Sequence, residues 1–352
     1  MVAEKWSERI APFDTEAAGL AEKRWETVAK PLKSLGMLED IVVHISGITG
    51  EYRYSLDKRG VLVLCGDNGV IRQGVTQTGS EITALVAKNL TIGITPVCVM
   101  AQIAGADIIP VDMGMVQEYD YEGLLKYRVA AGTQDISEGP AMSREQAEQA
   151  VDTGIELVRI AKNDGYKMLC TGEMGIGNTT TSSAVASVLL GCDPAEVTGR
   201  GAGLTTEGLR RKVEVIRKAI AVNKPDPDDA LDVLAKLGGF DIAGLCGVFL
   251  GGAIHRIPIV ADGLISTTAA LAAKRICPNG GFATLASHTS AEPAGKMLLE
   301  ALGLRPLINA GMFLGEGTGA VAALPLLDMG YAVYDKIPTF AEINMDDYVP
   351  LS

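Results

Sequence analysis

Little in this sequence suits a transition metal, a nucleic acid or a membrane. It has 3 histidines in 352 residues, none in a His-Glu-x-x-His or similar spacing, so a transition-metal site is not expected. His44, His255 and His288 read as structural or capping residues. The 6 cysteines, Cys65, Cys98, Cys170, Cys192, Cys246 and Cys277, form no Cys-x-x-Cys and lie mostly in apolar runs. They read as free buried thiols of a reducing compartment. Basic residues do not cluster, and Lys+Arg 31 against Asp+Glu 43 gives a formal net charge of −12; no nucleic-acid partner is expected. The longest uncharged apolar stretch, residues 242–254, is shorter than the roughly 20 residues of a bilayer-spanning helix. The opening residues Met1-Val2-Ala3-Glu4-Lys5-Trp6 carry no apolar signal region. The expectation is a cytoplasmic chain without membrane association. A Gly-x-Ser-x-Gly elbow is missing, so a serine hydrolase is not indicated. A Gly-x-x-x-x-Gly-Lys loop is missing too, which removes the P-loop reading.

What the chain has in excess is glycine, 41 residues against a usual share of roughly 7%. The pattern around these glycines alternates strand and helix. Apolar runs at residues 61–65, 107–112, 167–171, 257–260 and 282–286 read as buried parallel strands. Between and after them, helices are expected at 37–48, from Ser80, from Pro96, from the capping box at Ser143 to about Ala161, and at 178–190, 205–222, 226–238, 266–276, 291–302 and 319–329. This alternation predicts a Rossmann-like α/β fold, a mainly parallel sheet with helices on both faces. Ligands of such sheets bind beyond the carboxyl ends of the strands, so the loops after Cys65, Val111, Thr171, Val260 and Ala286 are the ones to read for chemistry. Two stretches fall outside the alternation: the first 30 residues, helical in pattern and ended by Pro31, and the acidic tail with Glu342, Asp346 and Asp347. They are expected to form a small helical layer. The expected division is residues 1–58 (N-terminal part of a small helical domain), 59–330 (nucleotide-binding large domain) and 331–352 (a C-terminal segment returning to the small domain).

Three glycine loops stand out. Thr171-Gly172-Glu173-Met174-Gly175-Ile176-Gly177-Asn178-Thr179 follows a strand and opens a helix, where free N–H groups and the positive dipole end suit a phosphate or carboxylate. Asn178 and Thr179 are good N-caps. Tight strand–helix packing alone would also explain these glycines, and Glu173 could be a solvated loop acid. Arg200-Gly201-Ala202-Gly203 precedes a helix from which Lys212 either folds back on a phosphate or stays at the surface. In Leu314-Gly315-Glu316-Gly317-Thr318-Gly319, a carboxylate flanked by glycines is held by backbone rather than by packing, as a general base would be. Ser287-His288-Thr289-Ser290-Ala291-Glu292 follows a strand, and its hydroxyls can bind phosphate. Two isolated glutamates in phosphate-like loops point to acid–base chemistry on a small bound nucleotide.

Taken together and in this order, these motifs resemble the nicotinate mononucleotide:5,6-dimethylbenzimidazole phosphoribosyltransferase family. Lys30-Pro31, Ser34-Leu35-Gly36, Asp67-x-Gly69-Val70 and Gly74-Val75 add to the likeness, which covers most of the chain from about Lys30 to Tyr334. The resemblance implies a Rossmann-like large domain, a small helical domain from both chain ends, and a dimer whose sites borrow residues from the neighbour. It implies displacement of nicotinate from nicotinate mononucleotide by a small aromatic acceptor, giving an α-riboside phosphate with inversion, without a cofactor or metal. On that likeness Glu316 is the general base and Glu173 orients the ribose or stabilises charge at the anomeric carbon. The phosphate would rest on Gly175, Gly177, Asn178, Thr179, Gly201, Gly203, Lys212 and Ser290. The acceptor pocket would involve Pro31, Thr78, Val86, Met174, Phe313 and Leu314.

The chain also departs from the family pattern. Asp67-Asn68-Gly69 stands where Asp-His-Gly is usual, and Leu85-Val86-Ala87 where a glutamine often lines the base pocket. Met312-Phe313-Leu314 replaces Met-Arg-Leu, and Leu32, Lys33 and Met37 replace Pro, Gly and Arg. The nucleotide loops are intact while the acceptor pocket is altered and less polar. This is compatible with the branch of the family that transfers phenol or p-cresol through two paralogous subunits, so the dimer is expected to be homomeric or paired with a paralogue. A catalytically silent partner subunit, and a mononucleotide-binding protein without chemistry, remain as alternatives.

Overall fold

The computed structural model describes residues 2–346 and 348, with only the backbone of Val2 and Ala3; Asp347 and residues 349–352 of the C-terminal segment lie outside the described residues. Six strands form one sheet: β1 (Arg59–Gly66), β2 (Ala106–Gly114), β3 (Leu125–Lys126), β4 (Met168–Met174), β5 (Ile259–Ala261) and β6 (Thr284–Ala286). Their order is β3-β2-β1-β4-β5-β6 and every pairing is parallel. The run Val61-Leu62-Val63-Leu64-Cys65 is buried on both sides of β1, as expected for a strand covered by helices on both faces. Helices Ser80–Thr91, Pro96–Ala104 and Thr318–Lys336 cover one face, and Arg144–Asn163, Phe240–His255 and Leu264–Ile276 the other.

The chain builds outward from the middle of the sheet in both directions. β1 leads to β2 and β3 on one side, and β4 to β5 and β6 on the other. The order therefore reverses between β1 and β4, and a crevice opens there at the strands' carboxyl ends. Register sets Leu64 beside Glu173 and Cys65 beside Met174, so Glu173 stands at the lip of that crevice.

Local chemistry places most boundaries. Ser143 and Gln146 form the expected capping box at the start of Arg144–Asn163. The helix expected from Asp226 starts at Ala230 instead, because the Asp229 carboxylate accepts the N–H groups of Leu231 and Asp232. The run expected as a strand from Phe282 begins as a 3-10 turn, Pro278–Ala283, and only Thr284–Ala286 pairs. Several elements were not expected, two of them in the sheet or packed on it. One is the two-residue β3. The other is the helix Phe240–His255, which is buried almost all round and so shows no amphipathic period. It packs along Arg144–Asn163 at the centre of its face.

Among the described residues, the segment Ser80–Ala104 is apolar enough by length and composition for a membrane span, with mean hydropathy 1.6. It folds as two helices of 12 and 9 residues separated by a turn, each well short of the roughly 30 Å of a bilayer core. The chain ends meet: the Ala29 N–H donates to the Pro338 carbonyl at 2.9 Å, and the Phe340 N–H to the Thr27 carbonyl at 3.0 Å. Helices Thr15–Thr27 and Met37–Thr49 pack together there, the latter also against Thr318–Lys336. Five of the six free cysteines are buried and Cys192 is partly exposed.

Candidate active site

β4 delivers Glu173 into the crevice, and the chain then turns through Gly175-Ile176-Gly177 into the helix Asn178–Leu190. Glu173 is 7% exposed and is not a solvated loop acid. The expected N-cap, Asn178, does not cap. Gly177 occupies that position and no side chain caps the helix, because the Asn178 amide is committed elsewhere. Its Nδ2 donates to Glu173 Oε2 and, at 3.0 Å, to Asp241 Oδ2. Burial pushes the Glu173 carboxyl up to about 8, helped by the negative charge of Asp241 and opposed by the Asn178 hydrogen bond. Burial likewise pushes Asp241 up to about 7.

The second glutamate reaches the crevice on a strained loop. Gly315 and Gly317 have φ of 93° and 94°, and Glu316 between them has φ of 60°, a left-handed conformation that a residue with a Cβ rarely adopts. Asp262, just beyond β5, fixes this loop. Its two carboxylate oxygens accept the N–H groups of Gly317, Gly319 and Ala320 at 3.2, 2.7 and 3.2 Å. Held this way, Glu316 Oε2 accepts the Val97 N–H at 3.5 Å, at the start of the helix Pro96–Ala104. Burial raises the Glu316 carboxyl above the usual range, with the Val97 N–H and Thr95 opposing the shift. The two glutamates are neighbours, since a Cβ on Gly315 would lie 2.5 Å from Glu173 Oε1.

Lys212 folds inward. It is 1% exposed, and its Nζ donates to Thr179 Oγ1 at 2.8 Å and to the Gly199 carbonyl at 3.3 Å. Burial pulls its ammonium down to about 8, with Glu292 opposing. An ammonium whose three hydrogens find two fixed acceptors beside a helix N-terminus is set up to receive an anion.

These groups line one cleft of about 670 Å³. Of the residues singled out from sequence, Glu173, Met174, Gly175, Gly177, Asn178, Thr179, Gly201, Lys212, Ser290, Thr78, Phe313, Leu314 and Glu316 all line it. Gly203, Pro31 and Val86 are not among its lining residues. The Gly203 carbonyl accepts from Gln77 Nε2 and so ties two cleft loops together. Pro31 is exposed among the chain-end helices, and Val86 is half-buried on Ser80–Thr91. Asn68, a departure from the family pattern, lies buried behind the helix start, its Oδ1 accepting from Thr181 Oγ1 at 3.0 Å. His288 is buried and faces the cleft, with Nδ1 3.0 Å from Ser287 Oγ. The loop after β2, read for chemistry from its position, does not line the cleft.

Sequence reasoning missed Asp241 and Asp262. Asp262 directly follows the strand Ile259–Ala261 and could have been flagged on that ground. Asp241 follows Gly238-Gly239 at the head of an otherwise uncharged helix, a place where a lone acid needs a partner.

The cleft has two unlike walls. One holds Glu173, Asn178, Thr179 and Lys212, all buried or nearly so. The other is formed by Val75, Pro96, Met100, Phe313 and Leu314, and Phe313 and Leu314 are 64% and 57% exposed. Such an arrangement can hold an anion and a polar ring on the buried wall and an apolar ring on the open one, with a carboxylate reaching each.

A family described as phosphoribosyltransferase matches residues 10–345. Two curated proteins named nicotinate-nucleotide–dimethylbenzimidazole phosphoribosyltransferase are similar over their full lengths. The one from Ruminiclostridium cellulolyticum is 46% identical over 351 residues, 100% of either chain. The one from Acetivibrio thermocellus is 45% identical over 341 residues, 97% of either chain. The crystal structure of CobT from Thermus thermophilus superposes with a TM-score of 0.89 at 37% identity, covering 95% of this chain and 100% of that one.

Proposed function

Because the chain belongs to the nicotinate-nucleotide–dimethylbenzimidazole phosphoribosyltransferase family, we propose that it transfers the ribose phosphate of nicotinate mononucleotide to an aromatic base of the dimethylbenzimidazole class, with inversion, in cobamide biosynthesis. The observation that carries this reading is the pairing of Glu316 and Glu173 in one cleft with a buried lysine beside a helix N-terminus. In the reaction, the acceptor nitrogen bonds to the anomeric carbon. The bond to nicotinate breaks, and its electron pair returns to the pyridine nitrogen. The acceptor's proton goes to Glu316. The donor ring is a pyridinium, already a good leaving group, so the barrier is the positive charge that builds on the ribose. Glu173, when ionised, stabilises that charge. The phosphate rests on Lys212, Thr179, Ser290 and the glycine loops. A positioned base contributes roughly 10²–10⁴-fold, and alignment of two bound reactants contributes more.

A second acceptor class, phenol or p-cresol, is supported by Phe313 on the apolar wall. Val86, another departure behind that expectation, is not among the lining residues. The relatives named for dimethylbenzimidazole therefore make a benzimidazole the first choice. A silent partner subunit is disfavoured because both glutamates face the cleft. The reading includes a soluble cytoplasmic enzyme with the small and large domains divided as expected from sequence. It also includes a homodimer: Leu85, Val99 and Ile103, 50%, 54% and 83% exposed, make an apolar face on the helices beside the open wall, where a second copy would complete the acceptor side.

The test is product analysis with nicotinate mononucleotide and equal dimethylbenzimidazole, adenine and phenol. A benzimidazole riboside phosphate in excess supports the proposal, and a phenol product in excess transfers it to the second class. No nicotinate release over hours, with no difference from Glu316→Ala, would overturn transferase activity of this chain alone. The sedimentation mass tests the dimer.

A further inference from the structure

The activity proposed above gives Glu173 a role that depends on its orientation and charge, and the structure shows what sets both. Asn178 stands between two buried carboxylates, with Nδ2 donating one hydrogen to Glu173 Oε2 and the other to Asp241 Oδ2 at 3.0 Å. Asp241 belongs to a different element from either, the first turn of the helix Phe240–His255. It is 0% exposed and touches neither the cleft nor the position of any reacting atom. Backbone closes around it: a Cβ on Gly175 would come within 2.8 Å of Asp241 Oδ2. A fully buried carboxylate is costly to keep without a purpose.

We propose that Asp241 is a positioning residue for Glu173, acting through Asn178. A primary amide has two faces, a carbonyl that accepts and an NH₂ that donates. With one hydrogen taken by Asp241, the nitrogen must face inward and its second hydrogen must meet Glu173. A flipped amide would aim its oxygen at two carboxylates and be repelled by both. Asp241 therefore locks Asn178 as a donor, and a donor favours the ionised form of Glu173, the form that stabilises positive charge on the ribose. Without Asp241 the amide can turn its oxygen to Glu173 and accept a proton from it, which favours the neutral, inactive form.

Asp241 has a second, electrostatic effect that acts in the opposite sense. Its charge raises the Glu173 carboxyl, as do those of Asp262 and Glu316 from the facing loops, while Asp241 is itself raised by Asp67 beyond β1. His288 lies beside Asp262 and offsets its charge in turn. The two effects separate by substitution. Asp241→Asn keeps an acceptor for Asn178 and removes the charge; Asp241→Ala removes both.

The experiment combines three readouts on wild type, Asp241→Asn and Asp241→Ala: steady-state transfer from nicotinate mononucleotide, the pH profile of kcat/KM, and titration of ¹³C-labelled glutamate carboxyls with Glu173 assigned by Glu173→Gln. The expected result is a kcat loss of about tenfold or more in Asp241→Ala, below the 10²–10⁴-fold of an acid–base group itself, with kcat largely restored in Asp241→Asn. In Asp241→Asn the Glu173 titration and the acid limb of the profile move together to lower pH. Equal kcat in all three proteins overturns the proposal. So does equal loss in both variants with an unchanged Glu173 titration, the mark of a merely structural residue. If the wild type shows no transfer, the proposed activity fails. The Glu173 titration still tests the coupling to Asp241.

Discussion

The two walls of the cleft are finished to different degrees. The wall proposed to hold the nucleotide is tied together within one chain. Glu173 is tied to Asn178, Asn178 to Asp241, and Lys212 to Thr179; all of these but the half-buried Thr179 are buried. The wall proposed to hold the acceptor carries Phe313 and Leu314 largely exposed, beside Glu316 on a strained loop. The difference follows from what each wall must hold. A phosphate and a charging ribose need polar groups fixed before the ligand arrives, because dipoles that must reorganise stabilise less. A flat apolar ring needs only surface removed from water, and a second chain or the ring itself can supply that cover. Substitutions on the two walls are therefore expected to separate cleanly in their kinetics.

The largest effect is expected at the residue that serves both substrates. Glu316→Ala removes the proposed base and should lower kcat by roughly 10²–10⁴-fold while leaving both Michaelis constants within a few-fold of wild type. Steady-state kinetics with each substrate varied checks this. A KM change without a kcat change would make Glu316 a binding residue and erase the contrast. Next is Lys212→Met, which removes the proposed charge-assisted hydrogen bond to phosphate, of about 1.5–3 kcal/mol. It should raise the KM for nicotinate mononucleotide about 10- to 100-fold and leave that of the acceptor unchanged. Lys212 and Glu173 together set a pH optimum. Glu173 must lose its proton, at about 8, and Lys212 must keep its own, also at about 8, so kcat/KM for the nucleotide should be bell-shaped and peak near that pH. Lys212→Met should remove the alkaline limb and leave the acid limb in place.

The same contrast governs how much could be read from the sequence. The nucleotide wall was largely legible because its parts are local: a strand, a glycine loop and a helix start fall within Thr171–Thr179, and Glu173 needs no distant residue to be noticed. Glu316 was legible for a similar reason, since glycines on both sides of an acid leave backbone as its only support. Asp241 was not legible. It acts through Asn178, 63 positions away, and its helix is apolar all round, so no period marked even the element. Asp262 carries the strained loop through three N–H groups some 55 residues further on, again a link that only folding makes. Pro31, Val86 and Gly203 show the converse. Their motifs were plain, but position in a motif does not say which of its residues turn toward the cleft, and these do not line it. The fold was easier than the site because a buried parallel sheet writes its covered strands as largely apolar runs, which the exposed two-residue β3 lacks.

A smaller effect concerns stability, and the buried pair Glu173 and Asp241 contributes to it. Glu173 and Asp241 both titrate higher folded than unfolded, so the native state binds more protons than the unfolded chain across the interval between. Stability from this pair is fully present below the ordinary carboxylate range and is lost as pH rises through about 7–8. The melting temperature should therefore fall between pH 5.5 and 8.5. In Glu173→Gln the fall should be smaller by a few degrees, since a kcal/mol moves the midpoint of a large domain by roughly 2–4 °C. Melting curves at the two pH values check the sign. An equal fall in both proteins would mean that the burial of Glu173 carries no energetic cost.

The smallest effect is expected on the acceptor wall. Phe313 is more exposed than buried, so shortening it to alanine removes little packing from the folded chain, and the melting temperature should stay within a degree or so of wild type. What it removes is a face for the incoming ring. Ring-on-ring contacts contribute about 0.5–1.5 kcal/mol beyond area burial, so Phe313→Ala should raise the acceptor KM by a few-fold and leave the KM for nicotinate mononucleotide and kcat at saturation unchanged. Phe313→Arg, which restores the residue usual in the family, sharpens the comparison. If Phe313 sets the acceptor class, arginine shifts the product ratio toward dimethylbenzimidazole in a mixture with phenol. If the ratio is unmoved by either substitution, the choice of acceptor lies with residues deeper in the cleft or with a second chain. The open wall would then supply area without discrimination.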